Sequence, residues 1–241
     1  MPGAALGNVL ATPDARQREM YAALIANDTT PTALPLPVAI TVGASPFAAG
    51  TTPANVTVTS VTLPIAIQVG QVLEFEHSTG RFLFEATTAV AAGARTAITG
   101  IAREGLPAGA VAQFPARVGL VLNIDTSETT GTTTFSTFDH DGISEVSRGE
   151  GEQSITSAAG ASYYNAGLST LKYAQRNGID IAWVIEQPNP DSDAFVTPPY
   201  EYGVGVVNDV SSSGGVNDKL QNSIGISVKG GIKYTPPVKA A

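Results

Sequence analysis

The residues best suited to chemistry lie close together in one acidic stretch of the chain. Asp139, His140 and Asp141 are consecutive, and Glu145 follows shortly after them. Carboxylate and imidazole groups gathered in this way could bind a divalent cation. The spacing matches no regular ligand pattern, and Gly142 allows the chain to reverse at this point. We therefore interpret the stretch as an acidic turn, and we predict no metal site and no cofactor.

His77 is the other histidine of the chain, with Glu76 and Ser78 on either side. A Ser-His-Asp triad would need a nucleophile held in a suitable local turn, and no such context surrounds a serine here. The stretch GVGVVNDVSSSGGVNDK lacks a Gly-Lys-Ser or Gly-Lys-Thr ending, so it does not predict a phosphate cradle. We interpret His77 as a surface residue and expect no catalytic residues. An enzyme such as a glycan hydrolase would instead need two facing carboxylates in a cleft.

The composition predicts a mainly β protein with many turns. Hydrophobic residues make up 43% of the chain and charged residues 14%, with 25 Gly and 16 Pro. Cysteine is absent, which excludes disulfides and thiolate metal sites. No apolar run approaches the roughly 20 residues that span a bilayer. The N-terminus lacks a basic region followed by an apolar core, so we expect neither secretion nor a membrane partner.

The negative charge is concentrated in the second half of the chain. The whole chain has a net charge of −8. Residues 118–241 carry fourteen Asp or Glu against seven Lys or Arg, a net charge of −7 for that half. Phosphate groups would be repelled by this excess, so the charge argues against tight binding of nucleic acid.

Residues 1–37 are interpreted as an N-terminal arm. Thr12 followed by Pro13 resembles a helix N-cap, and Met20 and Leu24 lie at helical spacing, so we predict a short helix that ends near Asn27. The stretch TTPTALPLP that follows contains three prolines and is interpreted as an extended linker.

Residues 38–116 predict a small antiparallel β domain, accessory to the rest and able to fold independently. Short apolar or alternating runs, such as NVTVTSV, RFLFEATTAV and ARTAITGI, are separated by Gly and Pro signals. Residues 117–241 then predict strands VGLVLNID, TTTFSTF and QSITSAAG, with an acidic loop before the last of them. A helix with Ser162 as its N-cap and a stop at Asn177-Gly178 follows. Trp183 alternates with isoleucines in the next strand and is predicted to fill the core.

The second half resembles the tail tube proteins (major tail proteins) of long-tailed bacteriophages. The resemblance lies in TTTFSTFDHDGISEVSRGEGEQSITSAAG, in LSTLKYAQRNGIDIAWVIE, and in the closing GVGVVNDVSSSGGVNDKLQNSIGISVKGGIKY. It implies a tail-tube-type β-sandwich or barrel flanked by one α-helix, with the small β domain as an addition. Such domains usually start with a strand of the tube, which leaves open that a strand within residues 1–45 completes the domain.

The resemblance also implies a structural role in a virion tail, assembled in the host cytoplasm. Copies would form hexameric rings stacked into a tube, whose acidic lumen conducts the genome during ejection without binding it specifically. Other tail proteins would be partners: a terminator, a tape measure, a distal tail protein and, in a contractile tail, a sheath. The alternative is another virion structural protein, such as a capsid decoration or fibre-base protein.

The loop FDHDGISEVSRGEGE is expected to contact an adjacent ring or subunit, and the strands TTTFSTF and QSITSAAG are expected to line the lumen. The interface candidates are the aromatic and charged residues of this region: Phe138, Asp139, His140, Asp141, Glu145, Arg148, Glu150 and Glu152. Four lysines are interpreted as edge-strand protection and as ring-to-ring ion-pair partners of the acidic loops. They are Lys219, Lys229, Lys233 and Lys239.

Overall fold

The computed structural model describes residues 18–118 apart from 28, 30, 32, 33 and 35, and then residues 121–129, 132–136, 144–148, 152–160, 165–187, 195–213 and 221–239. Within these ranges the chain is mainly β, as its composition predicts, with one helix. The strands in chain order are β1 (Glu19–Leu24), β2 (Val38–Thr41), β3 (Ala54–Leu63), β4 (Val72–His77), β5 (Gly80–Ala86), β6 (Gly93–Ile101), β7 (Val111–Phe114), β8 (Ala116–Val118), β9 (Val121–Thr129), β10 (Thr132–Ser136), β11 (Ser144–Arg148), β12 (Glu152–Gly160), β13 (Ile181–Glu186), β14 (Phe195–Thr197), β15 (Tyr200–Ser213), β16 (Gln221–Thr235) and β17 (Val238–Lys239). The helix α1 spans Ala166–Asn177.

Strands β2 to β7 form a six-stranded antiparallel sheet that closes into a barrel. The strand order is β2-β7-β4-β5-β6-β3. The two outer strands meet at an antiparallel bridge between Val42 and Val58, where the Gly43 N–H donates to the Thr57 carbonyl at 2.9 Å. Phe75 and Phe84 fill the interior in an edge-to-face pair with ring centroids 6.2 Å apart. This six-stranded unit is called the barrel below.

The second sheet has seven strands in the order β8-β1-β13-β15-β16-β12-β9. In a flat sheet its two outer strands would lie about 29 Å apart, because neighbouring strands are about 4.8 Å apart. Yet Val118 ends β8 and Val121 begins β9, so three peptide links hold their Cα atoms within about 11 Å. The sheet must therefore roll up. Together with α1 it is called the sheet body.

Helix α1 lies on one face of the sheet body. Its N-cap is Asn165, whose Oδ1 accepts a hydrogen bond from the Leu168 N–H at 2.9 Å, and it ends at Gly178 in the left-handed conformation. The predicted stop at Asn177-Gly178 is confirmed. The predicted N-cap at Ser162 is wrong, because Asn165 caps the first turn. Leu168 and Leu171 pack into the apolar cluster that contains Trp183.

The predicted N-terminal helix is wrong where the structure describes it, because Glu19–Leu24 form strand β1. Residues 20–24 are all buried. Met20 and Leu24 face α1, whereas Tyr21 and Ala23 face the barrel. An unbroken apolar run buried on both faces is typical of a central strand, and pairing with β8 and β13 decides between strand and helix here. Thr12 and Pro13 lie outside the described residues.

The barrel is inserted between two neighbouring strands of the sheet body. The chain leaves the sheet after β1 and returns as β8, and Ala22 and Ala116 are paired across these strands. Apolar contacts are continuous across the junction. The buried cluster that fills the barrel also contains five residues from strands of the sheet body: Tyr21, Ala23, Ala182, Val184 and Val204.

No helix in the described part of the chain is long and apolar enough to span a membrane.

Candidate assembly surface

A two-stranded ribbon extends the chain beyond the edge of the sheet body. Strands β9 and β12 pair with each other at that edge. Residues 130–131 then connect β9 to β10, and residues 149–151 connect β11 to β12. Strands β10 and β11 pair with each other over Thr132–Ser136 and Ser144–Arg148. This ribbon of β10 and β11 is called the arm below and is distinct from the N-terminal residues 1–37.

The arm has no third strand among the described residues, since its sheet contains β10 and β11 alone. An isolated two-stranded ribbon is marginally stable in water. Its sequence, TTTFS and SEVSR, is also poor in the large apolar residues that would hold a free ribbon together. A ribbon of this kind gains most from packing against, or pairing with, another chain.

The predicted interface loop is partly a strand. The sequence predicts a loop throughout DHDGISEVSRGEG, but residues 144–148 form β11, because they pair with the Thr-rich β10. Of the interface candidates, Glu145 and Arg148 belong to β11, and Glu152 begins β12. The remaining candidates lie outside the described residues: Phe138, Asp139, His140, Asp141 and Glu150.

The two strands predicted to line a lumen lie in different sheets. TTTFS is strand β10 of the arm, whereas QSITSAAG lies in β12, between β16 and β9 in the sheet body. On its outer side β9 has no further strand partner among the described residues. The arm follows β9 and precedes β12 in the chain, and both the arm and the outer side of β9 leave backbone hydrogen-bonding groups for a neighbour.

Lys229, predicted to be a ring-to-ring contact, has an ion partner within the chain. Its Nζ lies 2.9 and 2.8 Å from the two carboxylate oxygens of Asp180. The Asp180 side chain is only 4% exposed. Asn27 supports the same corner, because its Oδ1 accepts a hydrogen bond from the Asp180 N–H at 2.9 Å. Burial of an unpaired carboxylate would be costly, so this lysine is committed to the fold.

Lys233 lies at the far end of β16, in an exposed aromatic region. Its Nζ is 5.9 Å from the centre of the Tyr202 ring, which stacks at a tilt against Tyr200. Tyr234 and Val238 are 57% and 50% exposed. Lys219 lies outside the described residues, and Lys239 is in β17.

A cluster of ionisable groups lies where β1 and β13 begin and end. Glu19 and Glu186 are paired across the two strands. The Arg117 guanidinium is 2.5 Å from the Glu19 carboxylate, which also accepts a hydrogen bond from the Tyr21 hydroxyl. Burial, and then the nearby Glu19 carboxylate, raise the pKa of Glu186, while Arg117 opposes the shift. Burial and the Glu19 carboxylate also raise the pKa of Tyr21. The sequence pattern does not indicate the pairing of Glu19 with Arg117 or Glu186, because these partners are distant along the chain.

Of the residues considered for catalysis or metal binding, Asp139, His140 and Asp141 lie outside the described residues, and Glu145 lies in β11. His77 lies in the β4–β5 hairpin, where its Nδ1 is 2.8 Å from the Thr79 hydroxyl. No group of three or more His, Asp or Glu among the described residues is placed to hold a metal ion. Trp183 is fully buried and fills the core of the sheet body, as predicted.

Solved structures that are similar to this chain include two of gene transfer agent (GTA) particles. No protein-family model matches the chain, and no curated protein sequence matches it. The tail of an empty GTA particle with C6 symmetry is similar over 49% of this chain and 84% of that chain, at 14% identity and a TM-score of 0.38. The virion of a native gene transfer agent (GTA) particle is similar over 49% of this chain and 86% of that chain, at 14% identity and a TM-score of 0.39. Values this low establish neither a family nor a function.

Proposed function

We propose that the protein is a structural subunit of a phage-type virion tail, which assembles into stacked hexameric rings that form the tail tube. The observation that carries the proposal is the arm. It lies in the chain between β9 and β12, the last two strands of a rolled sheet, and has no third strand among the described residues. A subunit that joins its neighbours edge to edge would supply the missing contacts and would leave no sheet edge exposed.

The charge of the chain fits a conduit for DNA. The half that contains the arm and most of the sheet body has a net charge of −7, from fourteen acidic and seven basic residues. Acidic groups facing a lumen repel phosphate over about 8 Å at physiological salt, so DNA would pass without adhering. Basic residues over most of the lumen surface of an assembled tube would contradict this part of the proposal.

Negative-stain microscopy of the purified protein tests the proposal against its alternatives. Rings or tubes are the expected result. Trimers or knobs would favour a capsid decoration or fibre-base protein, and a monodisperse monomer with hydrolytic activity would contradict both structural roles.

Deletion of His140–Gly149 tests the arm directly, because it removes β11 and leaves β10 without its partner. We expect the deleted protein to remain a folded monomer with the thermal unfolding of its barrel and sheet body retained, and to form no tubes. Sedimentation velocity and microscopy at matched concentration measure the loss. Tubes of normal length from the deleted protein would remove the arm from the assembly mechanism.

A further inference from the structure

One short segment of the barrel lies directly against helix α1 of the sheet body. The segment is Gly70–Glu74, which runs into strand β4 and is called the key segment below. It contacts the helix through Ala166, Thr170 and Tyr173. These three helix positions are four and three residues apart, so they share one face. The other face, with Leu168 and Leu171, packs on the sheet.

Gln71 joins three parts of the molecule by hydrogen bonds. Its side-chain Oε1 accepts from the Leu24 N–H at 2.8 Å, at the end of β1. Its Nε2 donates to the Thr170 hydroxyl at 2.9 Å and to the Val72 carbonyl at 3.0 Å. The side chains of Gln71 and Thr170 are both fully buried. Without Gln71, the Leu24 N–H would be left in an environment with no water to replace the lost acceptor.

Glu74 and Gly70 complete the contact. Helix α1 has no acidic residue in its first turn, and the Glu74 carboxylate lies near the Ala166 N–H, which lowers the pKa of Glu74 against the larger, opposing effect of burial. The barrel thereby supplies the negative charge that favours a helix N-terminus. At Gly70, where φ is +84°, a Cβ atom would overlap the Tyr173 ring. Only glycine allows the helix to approach the barrel this closely.

We infer that the key segment makes the stability of helix α1 depend on the barrel, so that the barrel is a structural support of the sheet body. The barrel closes its own sheet, whereas α1 obtains from the barrel a carboxylate near its N-terminus and a buried hydrogen-bond partner for Thr170. Since the contacts lie within one chain, the inference holds whether or not the protein forms tubes.

Hydrogen exchange of the full chain, followed by mass spectrometry, tests the inference. Gln71→Leu should make peptides that cover β1 and α1 exchange at least about tenfold faster, because a buried donor loses its acceptor. Exchange in the barrel strands β3 and β6 should change little. Gln113→Leu is the matched control, since Gln113 is exposed on barrel strand β7, and it should leave α1 unchanged.

Thr170→Val provides an independent variant that preserves side-chain shape and removes the hydroxyl, which accepts from Gln71 Nε2 and donates to the Val72 carbonyl at 3.5 Å. It should also speed exchange in α1, and its effect should be smaller in the Gln71→Leu background than in the wild-type chain. If Gln71→Leu does not yield folded protein, Thr170→Val alone decides. Unchanged α1 exchange in Thr170→Val, equal exchange in Gln71→Leu and Gln113→Leu, or equal acceleration throughout the barrel would overturn the inference.

Discussion

The barrel and the sheet body solve the same problem, the satisfaction of sheet edges, in different ways. The barrel joins the two outer strands of its sheet, β2 and β3, at the Val42–Val58 bridge, and so pairs its edges within the chain. The sheet body rolls up but does not pair β8 with β9, and its β9 edge continues into the arm. Closure suits a unit that stands alone, whereas an unpaired edge suits a unit that meets copies of itself. The two regions therefore differ in how far they depend on contacts outside themselves.

The largest expected effect comes from separating the two regions. A fragment of residues 37–115 should unfold cooperatively on heating, because its sheet is closed. A chain in which a short flexible linker replaces residues 38–114 should lose the protected structure of α1, because Gln71 and Glu74 are gone. Circular dichroism melts and amide exchange of both proteins measure this. A stable sheet body without the barrel would break the comparison.

The next effect concerns how tightly each region is packed around a glycine. In the barrel, a Cβ at Gly100 would overlap the Glu85 carbonyl, which is backbone and cannot move aside. In the sheet body, a Cβ at Gly203 would lie 2.7 Å from Cζ2 of the Trp183 ring. We expect Gly100→Ala to lower the free energy of unfolding by about 3 kcal/mol and Gly203→Ala by about 1–2 kcal/mol, as overpacking does.

Denaturant unfolding of the two glycine variants gives the measurement. Gly50→Ala is the control, because the nearest atom to its Cβ is 3.9 Å away, and it should change stability little. A larger loss for Gly203→Ala than for Gly100→Ala would reverse the order of rigidity assigned to the two regions.

A smaller effect is expected at the buried ion pair of the sheet body. Lys229→Met leaves Asp180 without its ammonium partner, and the free energy of unfolding should fall by about 1–2 kcal/mol. This is less than a fully buried pair would lose, since the Lys229 side chain is 45% exposed and water can replace part of the contact. Lys233→Met, which removes an exposed lysine on the same strand, is the control. Equal stability of the two variants would show that the pair contributes nothing to the fold.

The smallest effect is a pH dependence in the sheet body. The pKa of Glu186 is raised in the folded protein, so the folded chain holds this proton more tightly than the unfolded chain. Its contribution to stability is present below the ordinary pKa of a glutamate and is lost as the pH rises through the raised value. Glu186→Gln should therefore raise the melting temperature at pH 7 and flatten its dependence between about pH 4 and 7.

Thermal melts across that pH range measure the effect of Glu186→Gln. Glu85→Gln, on the exposed side of barrel strand β5, makes the same change in net charge and serves as the control. The same flattening in both variants would trace the effect to overall charge instead of to the Glu19–Glu186 pair.

The sequence predicts local features of this fold better than its pairings. Alternation and apolar runs indicate most strands, Gly178 marks the end of α1, and the isoleucines around Trp183 indicate its burial. The helix predicted around Met20 and Leu24 is wrong, because their spacing also suits one face of a strand and only its partners distinguish the two. The loop predicted over residues 144–148 is wrong for the same reason. Strand pairing is decided by contacts between distant parts of the chain.

The candidate surface is predictable only in part. The many acidic residues and threonines of residues 118–160 indicate a polar region. They do not indicate that β10 and β11 form a two-stranded ribbon separate from the sheet. Gln71 carries no sequence signal at all. It is a single glutamine between Gly70 and Val72, and its importance lies in partners that are 47 and 99 residues away along the chain.

The insertion of the barrel between β1 and β8 also decides how the protein responds to force. The chain enters and leaves the barrel at neighbouring ends of two paired strands, beside Ala22 and Ala116. A pull on the far end of the barrel would break the hydrogen bonds of that pair one after another, instead of loading all of them together in shear. The contacts of Gln71 with Leu24 and Thr170 lie beside this strand pair and would bear part of the force. The mechanical strength of the junction thus depends on the β1–β8 hydrogen bonds together with the side-chain contacts of Gln71.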